Sequence, residues 1–405
     1  MFKKIKQSED WKQRKFRWAV YYLLSLFFVA LFSPFIANDL PLISKDKTGI
    51  HFPLCKELIS GSKGMNANYD WKNHTEEVIL FPPIVWKAGS SDIANSDYIS
   101  PFANQYRETN DGKKTILPFR FRHFLGTDLR GADVLADVIQ GARISLTIAL
   151  VSACFAAFIG IFMGGLAEWF GNDKLKCSVG KFLTILLFSI PVLHIFLMKD
   201  LPESSLLLKG TVVASLLVLG RVASKFSDKI KLFKVRISIP LDAFILRITE
   251  LMSTYPKIVL ILVFAGLGKP SWGNVILILS LSGWTEIGRV VRAEFLRISH
   301  FQYIDAARLS GANDFRIIFY HILMNALPSI IVTFIFSIVS NVLIESGLSF
   351  LGFGVPPDVV TWGSLLSSGK EYLPAWWLII LPGMFLAFTI ASLQTVAETY
   401  QNRRN

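Results

Sequence analysis

The residues of this chain that could do chemistry are ionisable side chains that fall inside or beside long apolar runs. Glu345 lies near one end of such a run, and Lys257 directly follows Pro256. A charged side chain at the centre of a bilayer costs about 2.5–3.5 kcal/mol on insertion scales, so such residues mark functional positions by default. Glu345 could line a solute pathway or be a buried, hydrogen-bonded structural acid. Lys257 could line the same pathway or extend its ammonium group to the inner membrane face. Glu286 and Arg289, three residues apart, are predicted to pair on one helix face.

Motifs for enzymatic chemistry are absent from the sequence. There is no phosphate-binding loop of the form Gly, four residues, Gly, Lys and Ser or Thr, no His-Glu-x-x-His pair and no Gly-x-Ser-x-Gly turn. Cys55, Cys154 and Cys177 are widely separated and lack the spacing of zinc ligands. We therefore expect no enzyme activity, no bound cofactor and no metal site. Any ATP hydrolysis that serves this chain must come from another polypeptide.

A polar stretch, residues 300–325, lies between two long apolar runs near the C-terminus. It carries Asp305, Arg308, Asp314, Arg316 and His321, and it is therefore predicted to lie outside the hydrocarbon region. Its position between two predicted spans makes it a membrane-flanking loop.

The residue order within this loop predicts two short helices joined at a glycine. The first helix covers residues 302–310, and Gly311 follows at the position where a left-handed conformation ends helices at low cost. Asn313 or Asp314 can cap the second helix. Alanines at 306 and 307 keep one side of this elbow thin, so that a groove of another protein could close around it. An ordinary helical cytoplasmic loop is the alternative that spacing alone leaves open.

The composition is that of a membrane protein. Hydrophobic residues make up 52% of the chain, phenylalanine alone numbers 33, and the mean hydropathy is +0.46. The net charge of +12 arises from Lys and Arg residues in short segments that flank apolar runs. Because no basic and aromatic platform accompanies them, we expect no nucleic-acid partner.

The apolar runs predict six to eight spans. A basic N-terminus precedes the first run, residues 18–37, which we interpret as an uncleaved anchor within a unit of residues 1–37. Residues 38–142 are polar and are predicted to fold outside the membrane, on its extracytoplasmic side. The count falls from eight to six if the pair of runs at 182–220 is dropped or forms a re-entrant hairpin. Both termini are predicted to be cytoplasmic, with a tail at 398–405. The remaining predicted runs are 144–166, 250–267, 274–291, 326–344 and 376–396.

The elbow resembles a loop of a known family. An acid, two alanines and a glycine at 305–311, followed by Ile322-Leu323 and Asn325-Ala326-Leu327-Pro328, resemble the Glu-Ala-Ala loop of bacterial ATP-binding cassette (ABC) importer permeases. Asp305 stands where that family usually has Glu, and Met324 stands where it usually has Pro.

Two further segments resemble the dipeptide and oligopeptide permeases of that family. They are residues 125–146 and the run from Leu348 to Pro357, followed by Trp362-Gly363. Ala132 stands where the family usually has Arg, and residues 170–241 exceed the family's usual short turn. Residues 133–140, apolar on one face, are predicted to form a helix on the outer membrane surface, and a plain surface helix of the outer domain is the alternative that the pattern leaves open. The long insert resembles, more weakly, the subgroup that includes microcin C importers.

The resemblance implies a fold, a set of partners and a docking site. The expected fold is an all-α integral membrane protein of the type I (MetI-like) class, with residues 143–397 as the permease domain and 300–323 as its cytoplasmic coupling loop. The expected partners are a second permease subunit, two ATP-binding subunits that bind the ATP, an extracytoplasmic substrate-binding protein and membrane lipid. The expected coupling residues are Tyr303, Asp305, Ala306, Ala307, Gly311, Asp314 and Arg316.

The resemblance also implies a function: the permease subunit of an ABC importer for peptides in the bacterial cytoplasmic (inner) membrane. Peptide is inferred from the family, and nickel, microcin-like or glycopeptide cargo remain open. A stand-alone secondary transporter or channel is the alternative, and it would need central charges and usually an internal repeat. A membrane sensor is a third class, and it would need a cytoplasmic signalling domain after its last span.

Overall fold

A computed structural model describes residues 2–46, 49–60, 78–108, 114–172, 176–178 and 236–402, with a few single positions between 184 and 221. The pair of spans predicted at 182–220 lies outside the described residues. Strands β6 (Lys176–Ser178) and β7 (Arg236–Ser238) pair antiparallel, so Ser178 and Arg236 lie side by side although 57 positions separate them in the sequence.

The predicted N-terminal anchor is helical. Helix α1 (Phe2–Leu31) is followed after Phe32 by a single turn, α2 (Ser33–Ile36). One face of α1 packs on the last helix, where the Tyr22 hydroxyl donates to the Phe385 carbonyl at 3.2 Å. The opposite face exposes Trp18 and Phe28. The span predicted at 18–37 is divided between α1 and α2, and α1 is not among the described helices that are long and apolar enough to cross a membrane.

The segment between α2 and the next long helix, residues 38–132, is called the outer segment after its predicted side. It holds a three-stranded antiparallel sheet in the order β2-β1-β3, from strands β1 (Ile43–Asp46), β2 (Gly49–His51) and β3 (Val78–Leu80). Helix α3 (Pro53–Ser60) packs on this sheet, and a hairpin of β4 (Tyr106–Glu108) and β5 (Lys114–Ile116) follows. Apart from β6 and β7, the described strands all lie in this segment.

Helix α4 (Val134–Phe170) is the central helix of the described fold. Asp133 caps it, accepting from the Ala136 amide at 2.7 Å. The separate membrane-surface helix predicted at 133–140 is wrong, because these residues are the cap and first two turns of α4. Val134 and Val138 are buried against the helices near the C-terminus, where they lie in a protein core and not on lipid.

The span predicted at 250–267 is not a single straight helix. Helices α5 (Leu241–Thr254) and α6 (Lys257–Leu267) meet at 87°. The break falls at Tyr255-Pro256, since proline lacks an amide hydrogen and restricts the residue before it. The 11 residues of α6 extend only about 16 Å at 1.5 Å per residue, about half of a hydrocarbon core.

Three long helices and two short ones complete the described fold. Helix α7 (Trp272–Ser299) runs towards the elbow, whose first helix is α8 (Gln302–Leu309). Helix α9 (Asp314–Phe350) is continuous over 37 residues, with a π-helical stretch over Ile317–Leu323. Helices α10 (Trp362–Glu371) and α11 (Trp377–Asn402) follow. Within the described residues, α4, α7, α9 and α11 are long and apolar enough to cross a membrane, and α5–α6 is a fifth if the bent pair forms one span.

Close packing of α4 on α7 holds the centre together. Gly160 and Gly164 of α4 lie against the α7 backbone, and a Cβ on Gly160 would come within 2.9 Å of the Trp284 carbonyl oxygen. In a bilayer the hydrophobic effect does not drive helices together, because lipid tails are themselves apolar. Small residues at a crossing let the two backbones approach and gain van der Waals contact instead. Helix α9 packs on both α4 and α7, so the elbow is built onto the most tightly packed part of the fold.

Candidate functional site

The elbow, residues 302–316, forms as predicted from the sequence. Helix α8 ends where the Ser310 amide donates to the Ala306 carbonyl at 3.0 Å and the Ala312 amide donates to the Ala307 carbonyl at 3.1 Å. Gly311 has a φ of +82° and no atom within 4 Å of where a Cβ would stand. Glycine is therefore needed at this position for its backbone conformation and not for space.

Asn313 begins the second arm of the elbow. Its Oδ1 accepts from the Arg316 amide at 2.9 Å, so it is the cap, and Asp314 is the first helical residue. The carboxylate of Asp314 then lies near the positive end of the helix dipole, which stabilises it there. Arg316 lies exposed in the same turn.

Three isoleucines anchor the elbow to the helices behind it. Ile304, Ile317 and Ile322 are buried and belong to one apolar cluster with Phe295 and Trp169 at the ends of α7 and α4. Apolar burial contributes about 25 cal/mol for each Å² removed from water. The elbow is thus fixed to α4 and α7, and it is not a loose loop.

The outward face of the elbow combines the predicted residues with large apolar side chains. Tyr303, Asp305 and Ala306 are exposed, and Ala307 is half-buried. The Tyr303 hydroxyl accepts from Asn325 Nδ2 at 3.3 Å, and Asp305 pairs with Arg308 at 3.3 Å. Sequence reasoning missed the apolar part of this face, for which large side chains in an otherwise polar loop were the available signal. The exposed fractions are 90% for Leu309 and 67% for Phe315 within the elbow, and 75% for Tyr320, which follows the elbow on α9.

A cavity of about 270 Å³ opens between α8 and the ends of α4 and α7. Arg308 lies at its edge, with its guanidinium carbon 5.9 Å from the centre of the Trp169 ring. Both charged and aromatic groups line the cavity, so it suits a polar side chain of a bound protein. The lining residues are Glu168, Trp169, Phe295, Ser299, His300, Asp305, Arg308 and Ile322.

Glu345 lies far from the elbow on the same helix, and it is 0% exposed. Its Oε1 accepts from the Ser349 hydroxyl at 2.8 Å. The hydroxyls of Ser145 and Thr361 also hydrogen-bond to this carboxylate. Of the two alternatives left open by the sequence, this geometry fits a buried, hydrogen-bonded acid.

Lys257 binds α6 to α7. Its Nζ lies 3.3 Å from Glu286 Oε1, so Glu286 pairs with Lys257 and not with Arg289 as predicted. The bend at Pro256 is the reason, because it turns the first residue of α6 towards α7.

A second pair was missed by sequence reasoning: Arg292 donates to both carboxylate oxygens of Asp242, 50 positions away. No local spacing reports a contact over that distance.

A buried histidine in the outer segment was also missed. His123 Nδ1 lies 2.9 Å from Asp133 Oδ2, its Nε2 lies 3.3 Å from Asp92 Oδ2, and Trp86 stacks on its ring at 4.2 Å. Burial alone lowers the pKa of His123, but the two carboxylates outweigh burial and raise the pKa above 6.5. The cluster fixes the outer segment to Asp133, the cap of α4.

Comparisons with known proteins show which family and which relatives this chain resembles. Residues 219–401, which include the elbow and Glu345, match the family described as "Binding-protein-dependent transport system inner membrane component". A putative peptide transport system permease protein of Brucella suis is 29% identical over 277 residues, 68% of this chain and 70% of its own. The inner membrane ABC transporter permease protein YejE of Escherichia coli is 27% identical over 399 residues, 96% of this chain and 92% of its own. The dipeptide transport system permease protein DppC of Bacillus subtilis is 25% identical over 288 residues, 71% of this chain and 69% of its own.

Proposed function

Because residues 219–401 belong to the family of binding-protein-dependent transport inner membrane components, we propose that this chain is the permease subunit of an ABC importer for peptides. Relatives named as peptide and dipeptide permeases support the substrate class. The YejE relative, which aligns over 96% of this chain, supports a role for the outer segment in the same system.

The observation that carries this proposal is the elbow. It presents Leu309, Phe315 and Tyr320 to solvent on a backbone held by capping hydrogen bonds and buried isoleucines. An exposed apolar patch on a rigid, polar-rimmed support is the form of a protein-binding surface. Two ATP-binding subunits hydrolyse ATP, and one of them grips this elbow, while a second permease subunit completes the pore.

The outer segment faces the extracytoplasmic side, where a substrate-binding protein delivers the peptide. The basic N-terminus and the charged elbow then lie in the cytoplasm together with the C-terminus. ATP-driven closure of the ATP-binding subunits displaces the elbow and tilts α9, which alternates the pore between outward-open and inward-open states.

Site-specific crosslinking tests the docking role. In the complex purified from its native membrane, a photoreactive residue at Leu309 is expected to crosslink to a nucleotide-hydrolysing subunit. The same residue at Phe102, which is 83% exposed in the outer segment, is the matched control and is expected not to do so. Crosslinking of position 309 only to lipid, or to a protein that binds no nucleotide, would overturn the proposal.

Energy dependence tests the transport class. Uptake of a defined peptide mixture into proteoliposomes holding the whole complex is expected to require ATP inside and to survive a protonophore. Uptake that a protonophore abolishes and that needs no ATP would instead indicate a stand-alone secondary transporter.

A further inference from the structure

The elbow and the buried acid Glu345 lie on one continuous helix. Helix α9 begins at Asp314 in the elbow and ends at Phe350, 37 residues later, which is about 55 Å at 1.5 Å per residue. Glu345 is in its last two turns, at the end away from the elbow. A displacement of the elbow is therefore delivered to the surroundings of Glu345 without an intervening loop.

The element nearest to that end of α9 is the short helix α10. Thr361 caps α10 with a reciprocal pair of hydrogen bonds to Ser364, and Trp362 is fully buried in the next position. The Trp362 amide donates to the Ser145 hydroxyl at 3.3 Å, and its indole donates to the Val138 carbonyl at 3.1 Å. The first turn of α10 is thus inserted between α4 and α9.

Glu345 connects these three helices through one carboxylate. Its hydroxyl donors are Ser346 and Ser349 on α9, Ser145 on α4 and Thr361 at the start of α10. The two oxygens of a carboxyl group offer about four acceptor sites, so four hydroxyls match the number of hydrogen bonds that this group can accept. A buried acid without such partners would be costly.

The packing around this joint leaves no space for α10 to slide on α9. A Cβ on Gly363 of α10 would collide with the Ser346 carbonyl, and a Cβ on Gly354 in the preceding loop would collide with Ser349. Both collisions involve the α9 turns beside Glu345. The backbone of Gly363 contacts the backbone of α9 at Ser346, and the Glu345 carboxylate holds Thr361. The end of α9 and the start of α10 therefore form a single rigid unit.

We propose that Glu345 is a positioning residue for transport: its carboxylate fastens the start of α10 to α9 and α4, so that ATP-driven displacement of the elbow moves α10 at the outer end of the pathway. This inference rests on the proposed function. It assigns no contact between Glu345 and the transported peptide.

The variant Glu345→Gln tests the joint, because an amide of the same size presents two N–H donors where hydroxyls now donate. In the whole complex reconstituted in proteoliposomes, we expect a roughly tenfold fall in peptide delivered per ATP hydrolysed, the scale of effect of weakening a buried hydrogen-bond network. ATP hydrolysis itself is expected to continue. Delivery is measured by mass spectrometry with a defined mixture of short peptides.

Hydrogen exchange distinguishes this positioning role from general loss of stability. Amide exchange of α10 is expected to rise in Glu345→Gln, while exchange of the elbow helix α8 stays as in the parent. Ser337→Ala, a buried hydroxyl two turns away on α9, is the matched control and is expected to change neither measurement. Glu345→Asp is expected to restore part of the coupling. If Glu345→Gln fails to assemble, Ser349→Ala removes the closest donor and is expected to shift both measurements in the same direction.

Unchanged peptide delivery per ATP, or a rise in exchange as large in α8 as in α10, would overturn the inference and leave the proposed function standing. Absence of ATP-dependent uptake by the parent complex would overturn both.

Discussion

At the scale of single residues, Gly311 is required for its backbone and nothing else. Its φ of +82° lies in the left-handed region, and a Cβ there would meet no neighbour. A side chain therefore costs only conformational energy, about 1–2 kcal/mol. That cost falls on the bend of the elbow, because the arms on either side are separately anchored by buried isoleucines.

Replacing Gly311 by Val is expected to abolish most ATP-dependent uptake while the amount of complex in the membrane stays normal. Val is β-branched and disfavours the left-handed conformation, whereas Asn tolerates it, so Gly311→Asn should keep much of the uptake. Uptake per quantity of assembled complex is the measurement. Ser310→Ala, one residue earlier and also exposed, is the control. Normal uptake by Gly311→Val would contradict the coupling role of the bend.

His123 predicts a pH dependence for the outer segment. Its pKa is raised above 6.5, and the pKa of Asp92 is lowered below 3.8 because its bonds to His123 outweigh the effect of burial. A group whose folded pKa is raised contributes stability below its unfolded pKa and loses it as pH rises through the folded value. The contribution of Asp92 is lost only in acid, as pH falls below 3.8.

The melting temperature of the purified protein is therefore expected to fall as pH rises above 6.5, through the raised pKa of His123. His123→Gln should be less stable at pH 6 and should show a weaker dependence between pH 6 and 9. The control is His51→Gln, at an exposed position of β2. An identical slope in the parent and in His123→Gln would contradict this account.

At the scale of elements, the bent pair α5–α6 is held to α7 by one ion pair on each arm. Asp242 and Arg292 join α5 to α7 with two hydrogen bonds of 2.6 and 2.8 Å, and Lys257 and Glu286 join α6 to α7 at 3.3 Å. The bend at Pro256 gives each arm its own direction, and the two pairs keep both arms against the same helix. The Asp242–Arg292 pair is the more buried of the two, with its arginine side chain 26% and its aspartate side chain 14% exposed.

Asp242→Asn is expected to destabilise the protein by about 1–3 kcal/mol, because it leaves a partly buried guanidinium without its bidentate partner. Arg247→Gln breaks a pair on α5 whose side chains are 80% and 60% exposed, and such pairs contribute about 0–1 kcal/mol. Denaturant titration of both variants followed by tryptophan fluorescence makes the comparison. Equal losses in the two variants would contradict a structural role for the Asp242–Arg292 pair.

At the scale of the whole molecule, the fold has two chemically distinct ends joined by long apolar helices. One end carries the outer segment with its sheet and buried histidine, and the other carries the elbow. Helices α4 and α9 connect the two ends, since each is 37 residues long. We therefore expect the two ends to lie on opposite sides of the membrane.

Labelling with a membrane-impermeant maleimide checks this arrangement. In a variant with Cys154→Ala and Cys177→Ala, the native Cys55 of the outer segment is expected to react in intact cells. With Leu309→Cys added in a Cys55→Ala version, labelling is expected only after permeabilisation. Labelling of position 309 from outside would reverse the proposed orientation and remove the elbow from any cytoplasmic ATP-binding subunit.

The sequence by itself determined the features whose causes act within a few residues. The elbow was predictable because Gly311 and Asn313 act on hydrogen bonds of their own turn. The long helices α4, α7, α9 and α11 were predictable because the length of an apolar run can be read directly from the sequence. The tertiary structure alone decided the rest. Glu345 receives hydroxyls from α4 and α10, Glu286 pairs across a bend with Lys257, and His123 lies between Asp92 and Asp133. The first two pairings join separate helices, and the third joins two turns of the outer segment to the cap of α4. The identity of such a partner depends on which faces pack together, and no local pattern of residues encodes that.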